Sequence, residues 1–521
     1  MSEADGRRVA RRLGGVALLL AASVALSRVL GYAREAVIAW RLGVSADVDA
    51  YQAAFLLPDL LNYFLAGGAL SIAFIPMYTR VRREQGLASA TRLLAEVLGT
   101  TTAVAAGVTL LLWAIAPSVV DRLFGFDRAG LDLTARLTRI VLPAQLFFIA
   151  GGIVRGALMA EDRFTSQALA PLIYNAGIIA GGLLLGSRLG AEAFAWGAVA
   201  GALLGGLLPS LLEARQAGLA IGFRVDPRDP ELRRYLMLAL PLMLGVSLLT
   251  VDEWYDKVFG SRAGEGAVAA LSYARRLLQL PVSIIGQAIA TAALPLLTRL
   301  WSEGRREALD DLLQGALGGG LALAALAAAG MWALADPLVV VLYEHGRFAA
   351  ADTARVAVLL RIFALAVPAW VVQQIAVRAF YAREDTWRPM WLGTAFAIPA
   401  ALLYLWLGAR LGAAGLALSG AIAMSANAVA TLVWARRLHG APDLAALAST
   451  TLRAAAAGLV GAAAASALPA ASAGFGAALM HLALGGAVFA AVGLSGAWLL
   501  GDAPMRRALA RVLQRAVPRR A

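Results

Sequence analysis

The chain has 521 residues, of which 60% are hydrophobic and only 15% are charged, and its formal net charge is +13. Soluble domains contain about 25% charged residues, so this composition excludes a water-soluble globular protein and indicates one integral membrane domain. Cysteine is absent, which excludes disulfides, thiolate metal sites and cysteine nucleophiles.

The apolar runs of the sequence have the length of bilayer-crossing helices, roughly 20 residues each. They predict an all-α polytopic membrane protein with fourteen transmembrane helices. The first run continues past Arg28 and Arg34 to Trp40 without a cleavage site, which indicates an uncleaved helix rather than a signal peptide. The predicted helices lie at 14–40, 48–78, 88–116, 136–160, 168–186, 192–217, 233–256, 267–298, 309–334, 353–381, 388–410, 413–437, 447–470 and 476–501.

Arginine is concentrated in alternate loops of this arrangement and in the C-terminal tail. Because cytoplasmic loops collect Lys and Arg, both termini are expected in the cytoplasm and the protein in the inner bacterial membrane. The tail also has apolar residues at helical spacing, so it is expected to lie on the anionic lipid surface. The positive charge is thus explained by topology and membrane lipids, without a nucleic-acid partner.

The two halves of the sequence resemble each other at an offset of about 220 residues, a sign of internal duplication. Residues 73–80 (AFIPMYTR) align with residues 292–299 (AALPLLTR). Six predicted helices per half indicate parallel repeats, the plan of many alternating-access transporters; a duplicated scaffold without transport is the alternative. The predicted domains are an N-terminal six-helix lobe (1–220), a C-terminal six-helix lobe (221–440), helices 13 and 14 (441–501) and a basic amphipathic cytoplasmic tail (502–521).

Charged side chains within the predicted helices are the candidates for function. An ionised group at the bilayer centre is costly, so these side chains should face a water-filled cavity or one another. Because the arginines outnumber the nearby acids, they predict a cationic cavity for a phosphorylated or carboxylated substrate. The alternative is structural ion pairing, for example of Arg34 with Asp49 or of Arg28 with Asp59. The charged residues of helices 1, 2 and 8 are Arg28, Arg34, Glu35, Asp49, Asp59, Arg275 and Arg276.

Three further features have both a functional and a structural interpretation. Gly67 and Gly68 in helix 2 indicate either a hinge or close helix packing. Asp252 in helix 7 is a candidate cation site or a partner for Lys257. Four other intramembrane arginines are weaker site candidates because their long side chains can reach the membrane interface; they are Arg139, Arg155, Arg361 and Arg378.

Several classes of chemistry have no residues to carry them in this sequence. The one lysine, Lys257, follows no glycine-rich phosphate loop, so ATP is not expected to bind. The three histidines, His345, His439 and His481, are far apart, and no nucleophile elbow is present. We therefore expect no enzyme activity, no cofactor and no metal.

Seven short motifs are distributed along nearly the whole chain. The most specific block lies in helices 1 and 2. The motifs are 27–31 (SRVLG), 33–36 (AREA), 49–51 (DAY), 68–76 (GALSIAFIP), 273–277 (YARRL), 346–348 (GRF) and 379–386 (AFYAREDT). Together they resemble the MurJ (MviN) family of lipid II flippases.

The resemblance implies a two-lobed, fourteen-helix transporter that carries undecaprenyl-pyrophosphate-linked peptidoglycan precursor, lipid II, from the inner to the outer leaflet. It implies that Arg28 and Arg34 meet the pyrophosphate and sugar, that Asp49 orders the gate and that Arg276 reaches from the C-terminal lobe. Helices 13 and 14 would hold the polyprenyl tail, and other cell-wall synthesis proteins are candidate partners. The resulting site prediction is Arg28, Arg34, Asp49, Arg275 and Arg276 for substrate, and Glu35, Asp59, Gly67 and Gly68 for a gate or hinge.

The sequence departs from the family pattern at two places. Helix 2 reads Asn62-Tyr63-Phe64 where many members carry paired Arg and a Glu, and helix 11 has no Asp or Asn for a sodium site. Three alternatives remain open: another polysaccharide-lipid flippase, a drug or cation antiporter of the same superfamily, and a non-transporting envelope scaffold. An antiporter would be expected to have acids in the N-terminal cavity, and a scaffold would tolerate loss of the buried arginines.

Overall fold

All regular secondary structure in the described residues is helical, which confirms the predicted all-α class. The computed structural model describes residues 3–66, 74–226, 228–244, 248–469 and 474–516. The predicted hinge residues Gly67 and Gly68 lie outside these residues.

The chain forms two compact units, Met1–Gly245 and Val246–Ala521. The helices of the first unit are α1 (Glu3–Leu42), α2 (Ala46–Ala54), α3 (Leu56–Ala66), α4 (Ile75–Leu123), α5 (Arg128–Val141), α6 (Ala144–Ala160), α7 (Thr165–Leu189), α8 (Ala191–Gly201), a π-helical turn (Ala202–Leu207), α9 (Leu208–Gln216) and α10 (Pro230–Leu244). A buried core joins α4, α6 and α10 through Tyr78, Ile153 and Tyr235. Because of this packing α10 belongs to the first unit. The internal sequence repeat had predicted that residues from 221 onward belong to the second lobe. The predicted lobe boundaries stay a prediction.

The second unit contains the remaining helices. They are α11 (Leu248–Gly260), α12 (Ala267–Pro281), a π-helical turn (Val282–Gln287), α13 (Ala288–Ser302), α14 (Arg306–Ala333), α15 (Ala335–Tyr343), α16 (Ala350–Tyr381), α17 (Trp387–His439), α18 (Leu444–Ser466), α19 (Phe475–Leu500) and α20 (Ala503–Ala516). Helices α18 and α19 correspond to predicted helices 13 and 14. Their backbones are close together at Gly461, where an added Cβ atom would lie only 2.9 Å from the Cα atom of Gly493.

Ten helices of the described residues are long and apolar enough to cross a membrane, so the protein is a multi-pass membrane protein. Two of the ten are each divided by a glycine with positive φ, Gly86 in α4 (83°) and Gly412 in α17 (57°). After Gly412 the chain folds back, since the Ser419 hydroxyl donates to the Leu403 carbonyl at 3.1 Å. Helix α17 thus contains the two helices predicted at 388–410 and 413–437, while the count of fourteen stays a prediction.

The described part of the basic tail, α20, packs against α14, α18 and α19. Met505 and Leu509 are buried on this face of α20. Arg506, Arg507 and Arg511 are exposed. The apolar side of this amphipathic helix is therefore covered by protein, and its contact with a lipid surface stays a prediction.

Helices α7 and α8 pack backbone to backbone through glycines spaced four residues apart, Gly177 and Gly181 on α7 and Gly197 and Gly201 on α8. A Cβ atom on Gly197 would lie 2.6 Å from the Gly177 carbonyl oxygen, and one on Gly181 would lie 2.4 Å from the Ala193 carbonyl oxygen. Side chains at these positions would push the helices apart. Small residues at such positions are typical of helix pairs within membranes.

Replacing Gly197 by alanine is therefore expected to destabilise the first unit by about 1–3 kcal/mol, the usual cost of overpacking. Gly107→Ala is the matched control, because a Cβ atom there meets nothing within 4 Å. Thermal unfolding of the purified proteins in detergent measures both. The packing argument fails if Gly197→Ala and Gly107→Ala unfold at the same temperature.

Candidate functional site

Arg34 lies on α1 and its side chain contacts α7 in the first unit. Its Nη2 atom contacts the Glu35 Oε1 atom at 2.6 Å, and its Nη1 atom donates to the Asn175 Oδ1 atom at 3.1 Å. Asn175 is fixed in turn, because its Nδ2 atom donates to the Pro171 carbonyl at 2.9 Å. Within the described residues the ion pair of Arg34 is with Glu35, whereas Asp49 was the partner considered from the sequence. A guanidinium has more N–H donors than these two contacts use.

The other predicted site residues of the first unit differ in their burial. Arg28 is exposed on α1, and Asp49 in α2 is buried with only 1% exposure. Asp59 in α3 is half-buried. Glu35 is also almost completely buried, at 1% exposure. Among these residues and Arg34 the acids of the first unit outnumber the arginines, three to two, so the predicted cationic cavity stays a prediction.

A cavity of about 380 Å³ lies among α3, α6 and α7, and we call it the α3–α6–α7 cavity. Arg155 is in its wall and is anchored, because its Nε atom donates to the Gln167 Oε1 atom at 3.1 Å and its Nη1 atom donates to the Gly206 carbonyl in the π-helical turn. Phe148 and Tyr174 form an aromatic part of the wall. The polar residues of the wall are Asp59, Asn62, Gln145, Arg155 and Gln167.

The α3–α6–α7 cavity includes residues that the sequence did not single out. Asp59 was predicted as a gate or hinge residue, and Arg155 was a weaker candidate. The neutral amides Gln145 and Gln167 were missed because the search followed charge. A search for any polar side chain within an apolar run would have found both.

In the second unit, Arg275 is enclosed by protein carboxylates. Its Nη1 atom lies 2.6 Å from the Asp252 Oδ2 atom, and its Nε atom donates to the Asp256 Oδ2 atom at 2.6 Å. The Tyr404 hydroxyl donates to the other oxygen of Asp252 at 2.6 Å. Arg275 is 5% exposed and lies over the ring of Phe363, 5.0 Å from its centroid. Arg275 was expected to face either a water-filled cavity or an acid, and it faces two acids.

This arrangement bears on the candidate cation site at Asp252. The cation beside Asp252 is the guanidinium of Arg275, so the two oxygens of Asp252 contact Arg275 and Tyr404. Asp256 was missed from the sequence, although it lies four residues after Asp252 and therefore on the same helix face. This spacing was the available signal. Arg275 and Asp252, assigned to separate sites from the sequence, belong to one buried cluster.

The positive and negative side chains in and next to this cluster of the second unit are equal in number. Arg276 is half-buried next to Arg275, and Lys257 is buried on α11. Glu253 is within electrostatic range of both, as well as of Arg275. The three bases Arg275, Arg276 and Lys257 are thus matched by Asp252, Glu253 and Asp256. The arginine surplus predicted for the site is absent from this cluster.

The three remaining weaker candidates contact aromatic rings or an acid, and their position at a membrane interface stays a prediction. Arg139 lies 4.7 Å from the ring centroid of Trp113, and Arg378 lies 5.6 Å from that of Tyr381. Arg361 pairs with Asp336. None of these three contacts involves the α3–α6–α7 cavity or the cluster around Arg275.

Comparison with known proteins gives matches along most of the chain. A chain described as a probable lipid II flippase MurJ from Rhizobium tropici is 32% identical over 422 residues, which covers 78% of this chain and 78% of that protein. One with the same description from Rhizobium meliloti (strain 1021) is 32% identical over 451 residues, covering 84% and 83%. The lipid II flippase MurJ from Burkholderia cenocepacia is 29% identical, covering 79% and 81%.

Solved structures share the fold. A lipid II flippase MurJ in an inward closed conformation superposes with a TM-score of 0.76 at 21% identity, covering 96% of this chain and 99% of that one. An inward-facing multidrug resistance MATE transporter of the MOP superfamily gives a TM-score of 0.66 at 16% identity, covering 79% and 94%. The family model described as lipid II flippase MurJ matches residues 38–483. The chain therefore belongs to the MurJ family of lipid II flippases.

Proposed function

We propose that the protein is a lipid II flippase, a transporter without enzyme activity, that carries the lipid-linked precursor from the cytoplasmic to the outer leaflet by alternating access. Family membership supports the substrate. The observation that carries the proposal for this chain is Arg34, a guanidinium inside a membrane unit that is oriented by Glu35 and Asn175. Oriented guanidinium groups are well suited to bind a pyrophosphate.

Each predicted site residue has its own role in this proposal. Arg28 and Arg34 contact the pyrophosphate, Arg276 is a further substrate contact, and Asp49 orders the gate. Glu35 positions Arg34. The apolar faces of α18 and α19, which expose Leu459 and Leu484, accept the polyprenyl tail. Both termini are in the cytoplasm, and the protein lies in the inner membrane among anionic lipids and other cell-wall synthesis proteins.

A leaflet-resolved assay tests this function. Purified protein in proteoliposomes is expected to move lipid II between leaflets faster than empty vesicles do. Arg28→Ala and Arg276→Ala should each reduce that rate about tenfold, because each removes a charged hydrogen bond worth about 1.5 kcal/mol or more. Arg188→Ala, an exposed arginine at the end of α7, is the control and should transport normally.

The outcomes separate the rival functions. Transport of a different polysaccharide-linked lipid but not of lipid II would indicate another flippase of the superfamily. Coupled efflux of a cationic drug would indicate an antiporter. An absence of transport by the wild type, combined with its failure to complement a flippase-depleted strain, would indicate a scaffold.

A further inference from the structure

The α3–α6–α7 cavity has the chemistry of a site for a neutral, hydrogen-bonding group. We propose that it is the subsite for the sugar part of the substrate, a ring bearing hydroxyl and acetamido groups; this rests on the proposed flippase function. Its volume of about 380 Å³ lies within the range of roughly 300–1,000 Å³ that small-molecule sites have.

The charges in the wall favour a sugar over the pyrophosphate. Among the described residues, the wall contains one base, Arg155, and one acid, Asp59. A dianionic group would need a surplus of positive charge, whereas these two charges balance. The other polar members are amides, each of which offers both a donor and an acceptor. Hydroxyl and acetamido groups have the same dual character.

Gln145 supplies the observation that points to a ligand. It is 4% exposed, it lines the cavity, and its Oε1 atom has no hydrogen-bond partner in the described part of the chain. A buried amide oxygen without a donor is unfavourable and calls for an explanation. A hydroxyl or an acetamido N–H in the cavity would provide the missing donor.

Arg155 and the aromatic residues complete the site. The Nε and Nη1 atoms of Arg155 bind protein acceptors, whereas Nη2 has no protein acceptor among the described residues. The rings of Phe148 and Tyr174 meet edge to face, with centroids 5.0 Å apart. Such a rigid apolar wall beside fixed polar groups is typical of small-molecule sites, and it can cover the C–H face of a sugar ring.

The cavity is also next to the group proposed to bind the pyrophosphate. Pro171 and Tyr174 of α7 line the cavity, and the Pro171 carbonyl accepts from Asn175, the residue that binds Arg34. Tyr174 itself is within electrostatic range of Arg34. A sugar joined directly to a pyrophosphate requires this adjacency.

Binding of two lipids to the full-length protein tests the subsite. Native mass spectrometry in detergent would compare lipid II with undecaprenyl pyrophosphate, which has no sugar. Gln145→Leu is expected to weaken lipid II binding about tenfold, because a sugar donor loses its acceptor, and to leave undecaprenyl pyrophosphate binding unchanged. The matched control is Gln373→Leu, a buried glutamine of the second unit whose Oε1 atom also has no partner among the described residues; it should change neither affinity.

Equal effects of Gln145→Leu on the two lipids, or no effect on either, would overturn the subsite while leaving the flippase function intact. Wild-type protein that binds neither lipid would overturn the flippase function and the subsite with it. If Gln145→Leu does not fold, Asn62→Leu at a half-buried position of the same wall replaces it, with the same expected selectivity for lipid II.

Discussion

Arg275→Met is expected to destabilise the second unit by about 3–5 kcal/mol, the cost of removing one partner from a buried ion pair. The substitution would leave Asp252 and Asp256, at 0% and 4% exposure, without the guanidinium that pairs with both of them. Thermal unfolding in detergent, together with the yield of folded protein, measures the effect. Arg355→Met, at an exposed arginine of the same unit, is the control and should unfold like the wild type.

A compensated variant separates the structural role of Arg275 from the substrate-binding role predicted for it. Arg275→Met combined with Asp252→Asn and Asp256→Asn removes all three charges, so no buried carboxylate is left without its guanidinium partner. We expect this triple variant to recover most of the lost stability and to transport lipid II. A folded triple variant that cannot bind lipid II would instead assign Arg275 to the substrate.

The fold was largely predictable because its signals are local. Apolar runs identified the helices, including the break between residues 410 and 413, where Gly412 divides α17. Proximity in sequence also placed Arg34 beside its ion-pair partner Glu35, although Asp49 was the partner considered. The packing of α10 with the first unit was not predictable, because it depends on contacts of Tyr235 with residues far away in the chain.

The candidate site was only partly predictable for a related physical reason. A charge in an apolar helix is conspicuous, so Arg28, Arg34 and Arg275 could be identified from the sequence. Whether such a charge faces a cavity or an acid depends on which helices are neighbours. Arg275 faces an acid, because it pairs with Asp256 of another helix. Neutral amides such as Gln145 give a weaker signal, because they are inexpensive to place in helices wherever a partner exists.

Arg34 is the residue whose loss should affect transport most. In the double variant Arg34→Ala with Glu35→Gln, we expect lipid II transport to fall about a hundredfold, because a charged contact worth about 3 kcal/mol is lost. Glu35 is changed as well so that its buried charge does not lose the Arg34 partner, which would lower stability by itself. The leaflet-resolved assay in proteoliposomes measures the rate, and thermal unfolding verifies that the protein is folded.

Two comparisons make the result specific to the guanidinium. Glu35→Gln alone keeps Arg34 and its hydrogen bond to Asn175, so it should retain transport within about tenfold, the scale of a lost positioning hydrogen bond. Arg34→Lys keeps the charge but loses the two-pronged donor geometry and should be intermediate. If the double variant transports as fast as Glu35→Gln alone, Arg34 does not contact the pyrophosphate, and that contact would have to be sought at another of the predicted substrate residues.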